Sequence, residues 1–289
     1  MFDQVEAFRR PASVGEALRL LDRAKGHARI VAGGTDLAVA GGDGVRILID
    51  ITQAGLSYIR RKQGALAIGA TTTLAEIEAS DALGKLAGGI LPKAAATSGS
   101  VSIRNVATIG GNLANASPAA DLAVPLLALE ASAVVADGHG RHKMPLAEYL
   151  GWAAAGRFAK SILVELIVSE PPGGKHCGWA FQKLGRTAVD ISLVSIAAGF
   201  QLDPKGRVKW ARIALGSVAP TAFRAQTAET LLLGRVPDGA VLAEVSAEVV
   251  AAVCPISDVR ASADYRREMS AVLTGRALRE CLAQAGGAL

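Results

Sequence analysis

Ala32-Gly33-Gly34-Thr35-Asp36 and Thr108-Ile109-Gly110-Gly111-Asn112 each set a Gly-Gly pair beside hydroxyl or amide side chains at the edge of an apolar stretch. Glycine takes positive φ readily and lacks a Cβ, so a ligand can approach its backbone closely. A run of unshielded N–H groups in such a place cradles an anion, above all the pyrophosphate of a dinucleotide. Either pair alone reads by default as a tight turn. Two pairs from distant parts of one chain can grip a pyrophosphate from both sides. Neither fits G-x-G-x-x-G, so a Rossmann site is not indicated.

The flanks give each pair a context. Ala28 to Val31 reads as a strand, a helix is predicted from Thr35 or Asp36, and Arg46 to Ile51 reads as another strand. The first pair therefore falls between a strand and a helix N-terminus, where an anion is favoured. Asp36 is ill-suited to a phosphate and is assigned to helix capping, facing away. Upstream, residues 13–25 form an amphipathic helix with Ser13 as N-cap, Glu16 three residues on, and Val14, Leu18 and Leu21 on one face. Downstream, 65–70 is a strand, Thr73 and Glu76 form a capping box, and 83–98 is helical with a kink or break at Pro92. Residues 98–117, rich in Gly, Ser, Thr and Asn, read as a long functional loop carrying the second pair. Pro118 to Glu130 then reads as a helix with Pro at its first position and Asp121 in its first turn. Asp121 either bonds a flavin ring N–H or ribityl hydroxyl, or complements the helix dipole.

Further along, 133–135 and 142–144 flank the turn Asp137-Gly138-His139-Gly140 as a hairpin, and 161–168 is a strand. Pro171-Pro172-Gly173-Gly174 is the linker candidate. Beyond it, 180–184, 191–202 and 208–218 read as strands and 227–285 as three helices. The chain thus divides into a mixed α/β part up to residue 172 and a sheet with helices after it. Lys183 and Arg186, just past the linker, are further candidates for a cofactor contact or for ordinary surface positions.

Composition narrows the function classes. At 289 residues with 51% apolar residues and a mean hydropathy of +0.32, the chain has enough apolar sequence for sizeable cores. The most apolar run, Leu122 to Ala136, is broken by Pro125 and Glu130, so no membrane span is expected. The N-terminus has neither the basic nor the apolar region of a signal peptide, which predicts a cytoplasmic protein. Cys177, Cys254 and Cys281 lie far apart, and His139 and His142 flank a turn, so no metal or cluster ligand set is expected. The net charge of +5 suits an anionic cofactor or an acidic partner. Aromatics are only 4%, without interleaved basic blocks, so nucleic-acid binding is not expected. No P-loop, G-x-S-x-G or H-E-x-x-H motif is present, so any redox chemistry belongs to a cofactor.

Ala32 to Leu37, Thr108 to Leu113 and Ala116-Ser117-Pro118-Ala119-Ala120-Asp121 together resemble the FAD-binding medium subunit of molybdenum hydroxylases, the group of carbon monoxide and xanthine dehydrogenases. The resemblance runs from Phe8-Arg9-Arg10-Pro11, through Phe181-Gln182-Lys183-Leu184 with Asp190, to Asp264-Tyr265-Arg266-Arg267. It implies an α+β protein: a vanillyl-alcohol-oxidase-type (PCMH-type) FAD-binding domain over 1–172, with subdomains of about 1–55 and 56–172. A C-terminal domain over 173–289 would follow, with a three-stranded antiparallel sheet and a helix bundle. It implies that Ala32, Gly33, Gly34, Thr35 and Asp36, with Thr108, Ile109, Gly110, Gly111 and Asn112, bind the FAD pyrophosphate and ribityl chain. Asp121, Leu163 and Lys183 would also contact FAD. It implies a small iron–sulfur subunit and a large molybdopterin subunit as partners, in a dimer of heterotrimers. Electrons would pass from the clusters to FAD and on to NAD or a quinone. No cysteine group is present to hold the extra cluster of the hydroxybenzoyl-CoA reductase branch. Carbon monoxide dehydrogenases resemble Gly-Gly-His-Ser where this chain has Gly33-Gly34-Thr35-Asp36, and they carry an aromatic at Ile191. An organic substrate, heterocyclic or aldehyde, is therefore expected. The alternatives are a stand-alone flavin oxidoreductase of the same fold and a basic scaffold.

Overall fold

A computed structural model describes residues 4–172 and 175–287. The chain opens with β1 (Ala7–Arg9), α1 (Val14–Arg23), β2 (Ala28–Val31), α2 (Thr35–Ala40) and β3 (Ile47–Asp50). The α1 start follows its local chemistry: Ser13 Oγ accepts from the Glu16 N–H (3.2 Å), and the Glu16 carboxylate accepts from the Ala12 N–H (2.9 Å). Next come β4 (Ile59–Lys62), β5 (Ala65–Gly69) and α3 (Leu74–Glu78), the last closed by the expected Thr73–Glu76 capping box.

The predicted helix over 83–98 is instead α4 (Asp81–Gly84), a single 3₁₀ turn and α5 (Ile90–Ala96), because Gly88 and Gly89 take left-handed φ of 61° and 72°. Pro92 is the third residue of α5, where an N–H has no partner to lose, so it neither kinks nor breaks that helix. The predicted loop 98–117 contains two short helices, α6 (Val101–Arg104) and α7 (Ile109–Ala114), capped by Ser100 and Thr108. The predicted helix over 118–130 shrinks to α8 (Ala123–Ala128), so Asp121 lies just before the helix and not in its first turn.

The hairpin β6 (Ser132–Asp137) and β7 (Gly140–Pro145) leads into α9 (Leu146–Ala154), which the sequence reading missed, and β8 (Ile162–Ser169). Gly173 and Gly174 of the predicted linker lie outside the described residues. Then follow β9 (Cys177–Leu184), β10 (Val194–Leu202), β11 (Val208–Gly216), the two-residue β12 (Phe223–Arg224), α10 (Gln226–Leu232), α11 (Gly239–Ala252) and α12 (Ala263–Gln284).

These elements form two compact units, each assembled from separate stretches of chain. The first comprises Met1–Ile77, Ser100–Ala116 and Ala131–Val168. It holds the parallel sheet β1-β3-β2 and the five-stranded sheet β4-β5-β8-β6-β7. Val14, Ala17 and Leu21 of α1 pack with Ile49 of β3, Val134 and Ala136 of β6, and Ile162 and Val164 of β8 in its core. The second unit comprises Glu78–Gly99, Ser117–Glu130 and Ser169–Leu289. Its antiparallel sheet runs β12-β11-β10-β9, the expected three long strands plus a short edge strand. The α10–α12 helices bury Ile196, Phe200, Ile213 and Leu215 from one face. Helix α8 packs on β10 and β11, and α5 on β9. The sequence reading drew one cut at 172/173, whereas the second unit takes 78–99 and 117–130 from before it.

Candidate functional site

In the first unit the two glycine pairs are brought together. A Cβ on Gly33 would collide with the Val106 carbonyl and lie 2.9 Å from the Ala107 Cα, so the first motif rests backbone-to-backbone on the residues just before Thr108. Gly34 is the N-cap of α2 with φ 69°, a left-handed conformation that glycine adopts without strain. No side chain caps α2, so Asp36 lacks the capping role assigned to it; its exposed position in the first turn stands.

The two motifs differ in what their backbones have left to offer. In the second, Ile109 N–H donates to the Thr72 carbonyl (3.0 Å), Gly110 N–H to Ala70 (2.8 Å), Gly111 N–H to Thr108 Oγ1 (3.1 Å) and Asn112 N–H to Thr108 (2.9 Å). The expected bare N–H cradle at 109–112 is therefore already spent inside the protein. In the first, the N–H groups of Gly33, Gly34, Thr35 and Asp36 have no acceptor among the described residues. Four donors free of internal partners suit a pyrophosphate.

The second motif contributes side chains and shape. Asn112 Oδ1 is buried with no partner among the described residues, and so is Thr71 Oγ1. Thr71 sits between Ala70 and Thr72, whose carbonyls hold α7. The sequence reading passed over it; three consecutive threonines with only one spent on a cap were the available signal. Gly110 is required by packing, since its Cβ would lie 2.7 Å from the Ala70 Cβ. Gly111 is exposed, has an ordinary φ, and its Cβ would meet only its own cap hydroxyl at 3.1 Å. The backbone around it leaves space for a side chain, and only that hydroxyl crowds the position, which leaves its outer side open to a ligand. Leu163 is buried on β8 beside a β-bulge, next to Val164, whose carbonyl accepts from the Ala70 N–H (2.9 Å).

In the second unit, Asp121 and Lys183 form a buried ion pair. Lys183 Nζ donates to Asp121 Oδ2 (2.6 Å) and to the Thr97 carbonyl (2.8 Å), and the side chains are only 6% and 8% exposed. The Ser98 hydroxyl lies 3.2 Å from the same carboxylate oxygen, while Asp121 Oδ1 has no partner among the described residues. Burial pushes the Asp121 carboxyl up from its ordinary value, against the opposing pull of the Lys183 ammonium. Arg186 instead lies at the surface, paired with Asp190 (3.1 Å). A groove of about 580 Å³ in the first unit, lined by Met144, Trp152, Arg157 and Phe158 among others, includes none of the predicted residues.

The free N–H run, the bare Gly111 and the unpartnered Asn112 and Thr71 oxygens fit a ligand with both phosphate and hydroxyl groups, as FAD has. Comparison with known proteins agrees. The FAD binding domain in molybdopterin dehydrogenase matches residues 3–168, and the C-terminal domain of the CO dehydrogenase flavoprotein matches 179–281. The chain is 34% identical to the alpha subunit of the 6-hydroxypseudooxynicotine dehydrogenase complex of Paenarthrobacter nicotinovorans, over 94% of this chain and 93% of that one. It is 30% identical to the xanthine dehydrogenase FAD-binding subunit of Escherichia coli O157:H7, over the full length of both. A solved structure of carbon monoxide dehydrogenase from Hydrogenophaga pseudoflava superposes with a TM-score of 0.89 at 29% identity, covering 98% of this chain and 99% of that one. Among the described residues, no helix is long and apolar enough to cross a membrane.

Proposed function

Because the chain belongs to the FAD-binding subunits of molybdenum hydroxylases, we propose that it relays electrons from an iron–sulfur partner to an acceptor such as NAD or a quinone. The free N–H groups of Gly33–Asp36 hold the FAD pyrophosphate. Asn112 and Thr71 accept or exchange hydrogen bonds with cofactor hydroxyls, and Gly111 lets the ligand lie against α7. Ala32, Thr108, Ile109 and Gly110 shape that wall, with Leu163 behind it, and Asp121 and Lys183 are further cofactor contacts. Bound there, FAD exchanges one or two electrons at a time, and the protein supplies its position and polar surroundings.

A small iron–sulfur subunit donates the electrons, a large molybdopterin subunit oxidises an organic substrate, and NAD or a quinone accepts. The assembly is a dimer of such heterotrimers, working in the cytoplasm. One feature supports the division of labour: relatives are named as subunits of dehydrogenases.

The observation that carries the FAD reading is the free N–H run beside a second motif whose own N–H groups are spent. Calorimetric titration with FAD tests it. The wild type is expected to bind with flavin absorbance appearing in the complex, and Gly111→Ala to lose at least tenfold in affinity. A folded Gly111→Ala protein that binds FAD like the wild type rules out the assigned contact.

A further inference from the structure

Lys183, Ser195 and Gly216 are register partners across β9, β10 and β11. Directly opposed residues on antiparallel strands share a face, so all three lie on the side where Asp121 and α8 pack. A Cβ on Gly216 would lie 2.8 Å from Ser195 Oγ and 2.6 Å from Val124 Cγ2, which sets the serine hydroxyl under α8.

Three hydrogen-bonding valences on this face are unmet among the described residues. The Lys183 ammonium has used two of its three N–H groups. Asp121 Oδ1 and Ser195 Oγ have no partner at all, and Ser195 is fully buried. Buried polar groups are rarely left unpaired, and several together mark a missing partner. One donor, one acceptor and one hydroxyl capable of either role remain. The Asp121–Lys183 pair is already neutral overall, so an anion would face Asp121 Oδ1 and a cation would face the ammonium. A single neutral O–H group meets all three needs: it accepts from Lys183 and Ser195 and donates to Asp121.

We propose that Lys183, Asp121 and Ser195 form a buried site for one hydroxyl oxygen, supplied by an internal water or by a hydroxyl of the bound flavin. The second source rests on the function proposed above; the first stands without it. Ser195 is then a contact residue of the site that no motif reveals.

Ser195→Ala distinguishes the sources through thermal unfolding of the flavin-free protein and FAD titration by calorimetry. With a water in the site, the variant melts lower and binds FAD as the wild type does. With a flavin hydroxyl, the flavin-free melting point does not fall and the FAD dissociation constant rises about fivefold, one net hydrogen bond. An unchanged or raised melting point with unchanged FAD affinity overturns the proposal, since removing a hydroxyl with nothing to bond relieves the protein. Crystals of the wild type, with and without FAD, provide the second measurement. An oxygen within hydrogen-bond distance of Lys183 Nζ, Asp121 Oδ1 and Ser195 Oγ in either form is required; its absence from both overturns the site even if Ser195→Ala fails to fold. If the wild type binds no FAD, the flavin assignment falls, and the flavin-free crystal still decides whether the water is there.

Discussion

Gly33 and Gly111 lack a side chain for opposite reasons. Gly33 is glycine because the Val106 carbonyl occupies the place of a Cβ. Replacing it with Ala is expected to cost about 1–3 kcal/mol through a forced backbone shift, measured by denaturant unfolding. Gly111, in the first turn of α7, would bring a Cβ within 3.1 Å of the capping Thr108 Oγ1 and of nothing else, so Gly111→Ala should cost less stability than Gly33→Ala, within about 1 kcal/mol of the wild type, while losing flavin. A variant that keeps its fold and binds less is the signature of a position held for a ligand. Gly110 offers no such test, because its Cβ would press on Ala70. The buried Lys183 gives a third expectation. Lys183→Met leaves the Asp121 carboxylate without its cation and should cost about 3–5 kcal/mol, with Asp121→Asn recovering much of it in the double variant. Additive losses in that double-mutant cycle would mean the two side chains do not act as a pair. The sequence marks Gly33, Gly111, Asp121 and Lys183 alike as site residues. Which glycine serves the fold and which the ligand depends on contacts between distant segments, and spacing does not carry them.

Strands with an apolar pattern and helix starts capped by nearby residues were legible, whereas a basic edge strand and very short helices were not. The Ser13–Glu16 and Thr73–Glu76 boxes place two helix starts because donor and acceptor are three residues apart. Strand β4 is absent from the predicted elements because Arg60-Arg61-Lys62 is a basic run with no apolar alternation. Its strand conformation is stabilised from elsewhere: Glu165 on β8 reaches across β5 to Lys62 and to Tyr58 Oη (2.8 Å), and the Arg60 guanidinium lies 4.1 Å from the centre of the Tyr58 ring. Burial tends to raise the Glu165 pKa, but bonding to Lys62 and Tyr58 outweighs it and holds the carboxyl below its ordinary value near 4.5. A lowered folded-state value contributes stability above the unfolded value and loses it as pH falls through the folded one. Between pH 5 and pH 3 the wild type should therefore lose stability faster than Glu165→Gln, as melting curves across that range will register. Parallel slopes would detach Glu165 from the acid response. Helices α6 and α7 escaped notice for another reason: at four and six residues they are too short to show a period, and Gly-Gly lowers the apparent propensity of α7.

At the scale of the whole molecule, the two-part organisation was visible as a Pro-Gly boundary, but the exchange of segments was not. The second unit takes 78–99 and 117–130 from the N-terminal half, and hydrophobic pattern alone does not say which sheet a helix will cover. A fragment starting at residue 175 lacks α5 and α8, leaving the face of β9–β11 that bears Ser195 and Gly216 uncovered. Such a fragment is expected to show native-like far-ultraviolet dichroism with no cooperative melting; a sharp transition matching that of the full chain would show that α10–α12 alone suffice. The same exchange sets a schedule for synthesis. All six residues of α8 are buried in the finished protein, yet Val194, where β10 begins, follows Ala128 by about 66 residues. At translation rates of about 5–20 residues per second, α8 leaves the ribosome roughly 3–13 s before the sheet it covers. During that interval an apolar segment waits in water without its partner, which makes the half-made chain a natural client for chaperones and its rate of synthesis a determinant of yield.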